Sequence, residues 1–444
     1  MQTATKRKNL MTIVTNTGDS GFEQTFNKLL TKKRSQNKNI VTTVSRILES
    51  VRRDGDQALI KLTEIHDNIR LSDASLRFSN EEIKSQIALV SPSQKKALKL
   101  AADRIISYHT KQLPQDAFWT DETGAGLGWV WRPITKVGLY VPGGTASYPS
   151  SVLMSAIPAV AAGVKELILV TPTPSGKVNP LVLLAANMVG INKIFKIGGA
   201  QAIAALAFGT SSVPVVDKIA GPGNSFVTEA KRQVFGKTGI DMIAGPSEVL
   251  IIADEKNRSD WIAIDLMSQA EHDENSRAVL LTTSTELAKA VKGEVEKILG
   301  KLERRDIAQK SWHNFGAIIV VKSLDEACLL SNKIAPEHLQ LFVQNPLSIL
   351  KKITNAGSVF LGAFSPEAIG DYIGGTNHIL PTAGASRFSS GLSVTDFMKR
   401  ISVSQITEES FKKIGREAAI IASSEGLQAH ELSLKMRLNK KKSK

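Results

Sequence analysis

One cysteine and seven histidines are almost all that this 444-residue chain offers for chemistry near neutral pH. A lone thiol excludes an internal disulfide framework and any multi-cysteine metal site. Cys328 lies in "SLDEACLLSNKI", where apolar residues recur at helical spacing, so it reads as a core residue rather than a nucleophile. Aromatic residues are scarce at 5%, and no basic stretch is interleaved with them, which excludes stacking platforms for single-stranded nucleic acid. No apolar run approaches the roughly 18 residues needed to span a bilayer. The opening "MQTATKRKNLMTIV" has a basic start but no apolar signal core. The expected protein is cytoplasmic, with no membrane and no nucleic-acid partner.

The composition is that of a globular protein, 42% hydrophobic and 22% charged, long enough for two or three domains. The net charge of +14 suggests phosphate binding until its distribution is considered. Thirteen lysines and arginines fall in three acid-free segments: "TKRKNL" near the start, "TKKRSQNK" at 31–38 and "KMRLNKKKSK" at the end. The rest of the chain is close to neutral, and "NKKKSK" reads as a solvated, fraying tail.

Residues 40–66 and 92–110 carry apolar residues at three-and-four spacing, and Ser91-Pro92-Ser93-Gln94 supplies an N-cap, a proline at the first helical position and a capping-box glutamine. His66 and His109 fall within or at the ends of these helices and read as surface or helix-end residues. From residue 137 short β-branched runs alternate with helix-length segments, the pattern of a helix-covered parallel sheet. "ELILVT", "KIFKI" and "VVDKIA" are strands of a first series, each running into a polar or glycine-rich turn such as "GGAQ" at 198–201 or "GPGN" at 221–224. "VLIIAD", "AVLLTT", "AIIVVK", "LQLFV" and "SVFLG" form a second series. Ligands in open α/β sheets gather at the carboxyl ends of strands, so these turns mark an expected binding edge.

Two nucleotide signatures fail. "GKT" at 236–238 lacks the earlier glycine of a P-loop, since position 231 is Lys231, and "GAGLGW" has a tryptophan where a dinucleotide fingerprint needs its third glycine. A nicotinamide cofactor would have to rest on other turns, such as "GGAQ" and "GPGN", whose backbone N–H groups adjoin helix starts. "DLMSQAEHDENS" puts Gln269 and His272 on one helical face, a spacing able to share a metal ion but common on polar surfaces too. Asp371 and His430 are candidate further ligands, at spacings that prove nothing. His313 and His378 sit in apparent loops. "APEHLQL" sets Glu337 beside His338 on a helix-to-strand connection. The bland reading is a surface pair, and neighbours on an extended chain point apart. The functional reading is a divided task, in which His338, with an ordinary pKa near ~6.5, takes an alcohol proton and Glu337 activates water.

Eight ordered blocks resemble the histidinol dehydrogenase family over about residues 12–437, among them "VGLYVPGGTASYPSSVLM", "DKIAGPGNSFVTEAKRQVFG", "SQAEHDENSRAVLLT", "APEHLQL" and "EGLQAHELSLKMR". The resemblance implies oxidation of L-histidinol through L-histidinaldehyde to L-histidine with two NAD⁺ and one Zn²⁺ per subunit. It implies metal ligands at Gln269, His272, Asp371 and His430, and acid–base machinery at Glu337 and His338. Implied substrate contacts are Ser247 and Glu425, with His338 and the four ligands; implied cofactor contacts are Tyr140, Gln201 and Asn224. It also implies a homodimer with sites shared between subunits.

The expected fold is α/β, with two Rossmann-like parallel-sheet domains in an aldehyde-dehydrogenase-like arrangement and a helical C-terminal extension. Residues 1–136 with 248–392 would form a discontinuous larger domain that includes the N-terminal helices, and 137–247 an inserted domain carrying the cofactor turns. Residues 393–444 would form an extension exchanged between subunits. A related dehydrogenase acting on another alcohol, such as a sulfonated diol, is one rival. A nucleic-acid binder using its basic ends is another.

Overall fold

The computed structural model describes residues 12–32, 38–143 and 148–439. The basic segments at 5–10 and 440–444, and part of 31–38, lie outside the described residues. Among those described, no helix is long and apolar enough to cross a membrane.

Six parallel strands form the larger sheet, in the order Ile13–Asn16, Ala317–Val320, Arg277–Thr282, Glu248–Ala253, His338–Phe342 and Ser358–Leu361. Its central strands are unbroken apolar runs buried on both faces, as a helix-covered parallel sheet requires. A second sheet of five parallel strands runs Lys193–Phe195, Glu166–Val170, Lys136–Tyr140, Lys218–Ala220 and Gly239–Ile240. The two series of strands expected from the sequence are therefore present, and the helical C-terminal region is too.

Three features differ from expectation. First, the N-terminal helices pack against the smaller sheet. Val44, Leu48, Val51 and Leu59 share an apolar cluster with Ile168, Val170 and Ile203, while Ile83, Ala101 and Ile105 join Val137, Leu139 and Leu153. The larger sheet's faces are filled mainly by its own crossover helices, with Phe22–Thr31 added from the N-terminal region. Second, the C-terminal extension begins with a strand, Met398–Gln405, which pairs antiparallel with Gly126–Pro133, itself paired with Ala117–Thr120. The "GAGLGW" stretch thus runs from a turn at Gly124 into this strand. A side chain at Gly128 would meet the Ala117 carbonyl at 2.3 Å, so glycine permits the close strand approach. Third, His313 lies in the helix Arg305–Phe315 rather than a loop, because Ala308, Ser311, Trp312 and Phe315 keep helical spacing on its buried face. His109 is at a helix end as expected but is fully buried, held by the Ile105 carbonyl and the Asn377 amide.

The helices Glu408–Ser424 and Gln428–Leu438 pack on each other and leave Ile420, Ile421, Leu432 and Met436 exposed.

The two large sheets meet in opposite senses at one seam. From the smaller sheet come the carboxyl ends of strands, followed by the turns at 141–143, 221–224 and 241–245. From the larger sheet come the amino ends of two adjacent inner strands, which start at Glu248 and His338. The rule that ligands sit beyond strand carboxyl ends describes only one wall of this seam.

Candidate active site

A cavity of about 330 Å³ opens along the seam. Its deepest polar feature starts from a local backbone choice. Ala335 ends the helix Leu324–Ile334 in the left-handed conformation, with φ of 51°. Pro336 follows, and the chain enters the sheet at His338, opposite Val249 on one neighbour and Ser358 on the other. This register sets the Glu248 peptide beside the pair. The Glu248 N–H donates to Glu337 Oε2 at 2.7 Å, and its carbonyl accepts from His338 Nδ1 at 2.9 Å. Adjacent residues on a strand point apart, but Glu337 precedes the strand and its carboxyl is drawn back, so both side chains reach one cavity.

A carbonyl oxygen only accepts, so Nδ1 carries the proton and Nε2 is the free acceptor. Nε2 is buried and has no hydrogen-bond partner among the described residues. Burial lowers the His338 pKa, against the raising effects of Asp371 and the Glu248 carbonyl. The side chain is a neutral base aimed into the cavity. Burial also pushes the Glu337 carboxyl well above its ordinary range, and the charges of Glu248, Glu367 and Asp371 add to this against the Glu248 N–H bond.

Gln269 is the penultimate residue of the helix Ser259–Ala270, and His272 follows one turn on. Gln269 is 1% exposed, yet neither atom of its amide has a partner among the described residues, an expensive arrangement unless something else fills the site. Asp371 comes from the short helix Glu367–Tyr372. His378 donates from Nδ1 to the Asp371 carbonyl at 3.0 Å, and its Nε2 lies 3.4 Å from the Ser151 hydroxyl. Burial lowers the His378 pKa.

Asn224, Ser247, Gln269, His272, Glu337, His338 and Asp371 are thus brought to one cavity. Tyr140 and Gln201 are not. They are buried beside the Gly198–Gly199 turn, where the Tyr140 hydroxyl accepts the Gly199 N–H at 3.1 Å and burial raises the phenol to about 12. Glu425 and His430 do not line this chain's cavity either; both are exposed, Glu425 in the turn between the two C-terminal helices and His430 on the second of them.

Sequence reasoning missed Glu367, which is 2% exposed and one helical turn before Asp371. His338, Glu367 and Asp371 offer atoms that all lie within 4.8 Å of one another. Burial holds the Glu367 carboxyl well above its usual range, with Asp371 and Asp265 reinforcing it. The i, i+4 spacing of acids in "EAIGDY" was its one sequence signal. Lys231 and Asp241, also lining the cavity, were read only as a failed P-loop position and not at all, respectively.

A sequence model of the histidinol dehydrogenase family matches residues 30–438. The histidinol dehydrogenase of Ruegeria pomeroyi is 56% identical over 419 residues, covering 94% of this chain and 97% of the relative. That of Cereibacter sphaeroides is 53% identical over 420 residues, covering 95% and 97%. The crystal structure of histidinol dehydrogenase from Elizabethkingia anophelis superposes with a TM-score of 0.92 at 39% identity, covering 97% of this chain and 98% of that one.

The raised Glu337 pKa has a stability consequence. Its neutral form is favoured by folding, so its contribution is fully present below the ordinary value of 4.5 and is lost as pH rises toward the folded value. In chelator-treated protein, Glu337→Gln should therefore gain thermal stability relative to wild type as pH rises upward from about 4.5. Melting curves at successive pH values check it; a wild-type-to-variant difference independent of pH would contradict the burial argument.

Proposed function

The chain belongs to the histidinol dehydrogenase family, a family of oxidoreductases in histidine biosynthesis, and from that premise we propose that it oxidises L-histidinol to L-histidine through L-histidinaldehyde, using two NAD⁺ and one zinc ion per subunit. The observation that carries the proposal is the double grip of the Glu248 peptide, which leaves His338 Nε2 bare and Glu337 in reach of the same space.

The residues present fit a cation. The unpartnered amide of Gln269, the carboxylate of Asp371 and the imidazole of His272 converge on the cavity with a nitrogen-and-oxygen donor set that suits zinc. These three would hold it together with His430 of the partner subunit. Bound zinc would anchor the amine and imidazole of the substrate and favour the developing alkoxide. Asn224 on the cavity wall would hold NAD⁺, with Tyr140 and Gln201 supporting the Gly198–Gly199 turn from behind, and the bound cofactor would accept hydride from the carbinol carbon.

In the first half-reaction His338 Nε2 accepts the hydroxyl proton as the carbinol C–H bond gives up its hydride, leaving the aldehyde. Glu337 then takes a proton from water as the water oxygen bonds to the aldehyde carbon, while His338 returns the proton it accepted to the carbonyl oxygen, forming the gem-diol and leaving His338 a free base for the second oxidation. Its raised basicity suits that role. In the second half-reaction His338 accepts a proton from the gem-diol as the second hydride departs, giving the carboxylic acid. A thiohemiacetal route has no nucleophile here. Cys328 packs in the core of the larger sheet with Leu330, Ile334 and Leu341, and burial raises its thiol. Ser247 on the cavity wall and Glu425 of the partner subunit would read the substrate's polar groups, which favours histidinol over a diol without an imidazole.

Glu425 and His430 are exposed here beside exposed apolar residues that include Ile421 and Leu427, and the family resemblance assigns both to a cavity they do not line. These observations support a homodimer in which the C-terminal helices complete the partner's site.

Wild-type enzyme should release two NADH per histidinol. Glu337→Gln keeps the side chain's size and its hydrogen bond, so alcohol oxidation should remain largely intact. Oxidation of supplied aldehyde should slow by about 10²–10⁴-fold. Single-turnover NADH traces resolve the two halves, and equal losses in both would overturn the division of labour.

Mixing inactive His430→Ala with inactive His338→Ala subunits should restore part of the activity, because one site in each mixed dimer receives both intact residues. Absence of recovery after subunit exchange, verified by mass spectrometry, would show that each site is built from one chain.

A further inference from the structure

The wall of the cavity opposite His338 contains an ion pair that the reaction does not use. Lys231 lies in the helix Ser225–Val234, and Asp241 follows the strand Gly239–Ile240. Their side chains are only 3% and 1% exposed and form a salt bridge between Lys231 Nζ and Asp241 Oδ1. Burying both charges is costly, and well-packed apolar residues of similar volume would stabilise the fold as well or better. What an ion pair adds is directed hydrogen bonding.

Here Asp241 Oδ1 accepts the Met242 N–H at 2.6 Å, and two further bonds converge on one residue. Lys231 Nζ donates to the Gly221 carbonyl at 3.0 Å, and Asp241 Oδ2 accepts the Gly221 N–H at 2.8 Å. Both polar groups of Gly221 are therefore gripped by the pair. Gly221 itself has φ of +117°, and a Cβ there would lie 2.1 Å from the Tyr140 carbonyl oxygen. Only glycine can occupy a position pressed so closely on the end of the strand Lys136–Tyr140. Three residues on, Asn224 caps the helix, its Oδ1 accepting the N–H groups of Phe226 and Val227 at 3.0 and 3.1 Å. The pair thus fixes the start of the 221–224 turn against Tyr140, while the cap fixes its end.

We propose that Lys231 and Asp241 are positioning residues for the dinucleotide cofactor, acting through Gly221 to hold Asn224 in register with the carboxyl end of the Tyr140 strand. The proposal rests on the NAD⁺ reading above. Neither side chain needs to touch the cofactor, and neither hydrogen-bonds His338 or Asp371 on the substrate's side of the cavity.

The test compares wild type with Asp241→Asn and with the double variant Lys231→Met/Asp241→Asn. The double variant removes both buried charges at similar volume, which guards against a variant that fails to fold for want of a counter-charge. It keeps an acceptor for the Gly221 N–H but leaves the Gly221 carbonyl without its donor. Calorimetric titration with NAD⁺ alone should show at least about tenfold weaker binding in the folded double variant, with KM for NAD⁺ rising to match. KM for histidinol should move by less than about twofold. Unchanged NAD⁺ binding in a folded double variant would overturn the proposal, since the pair would then serve the fold alone. Equal rises in both KM values would also overturn it. A wild-type enzyme that NAD⁺ does not saturate would overturn the cofactor reading itself, and the clamp with it, before any variant is compared.

Discussion

The site depends on a single peptide group. Glu248 begins a central strand of the larger sheet, and the parallel register that aligns Val249 with His338 leaves its N–H and carbonyl facing the Glu337-His338 step. One bond sets the tautomer of the histidine and the other aims the carboxyl. Neither needs a further side chain to hold the pair in place. The Glu248 carboxylate meanwhile lies 3.7 Å from Arg277 on the adjacent strand, which ties the same residue into the sheet from its other side. Because the neighbouring strands are buried on both faces, the peptide cannot shift without moving the core.

That dependence explains why the catalytic pair comes from strand starts. A strand's carboxyl end is usually followed by a loop free to vary, whereas the amino end of a buried parallel strand is rigid and arrives directly from a helix. The smaller sheet supplies the opposite wall in the usual way, with turns beyond its carboxyl ends lying over the cavity. Hydride donor and acceptor would thus be offered by two sheets of opposite sense. The groups that move protons sit on the rigid one.

How much of this was legible in the sequence follows from the range of the interactions involved. Strands such as "VLIIA" and helices such as Pro92–Thr110 were legible because periodicity and capping are local. Glu337 and His338 could be singled out because adjacent acid and base groups after a proline are rare. Their shared partner could not, because Glu248 is some ninety residues away and acts through its backbone, which every residue possesses. Gln269 and His272 were visible as a spacing, while their convergence with Asp371 depended on tertiary packing. Glu367 was hidden because an acid beginning a short helix looks like an ordinary N-terminal charge. The strand Met398–Gln405 was missed because "MKRISVSQ" is largely exposed and polar, and its partner lies more than 250 residues earlier. The N-terminal helices were assigned to the wrong sheet for a related reason. An apolar stripe announces that it must be buried, without naming the surface that buries it.

The central claim is that His338 is a neutral base with its proton on Nδ1 and its Nε2 lone pair facing the cavity. With only seven histidines in the chain, ¹⁵N-histidine labelling with His338→Gln for assignment makes the tautomer directly observable. The account predicts that the resonances lost in the variant report a protonated Nδ1 and an unprotonated Nε2 at pH 7, with protonation only below the ordinary histidine range. An Nε2-protonated ring, or an imidazolium at pH 7, would contradict it.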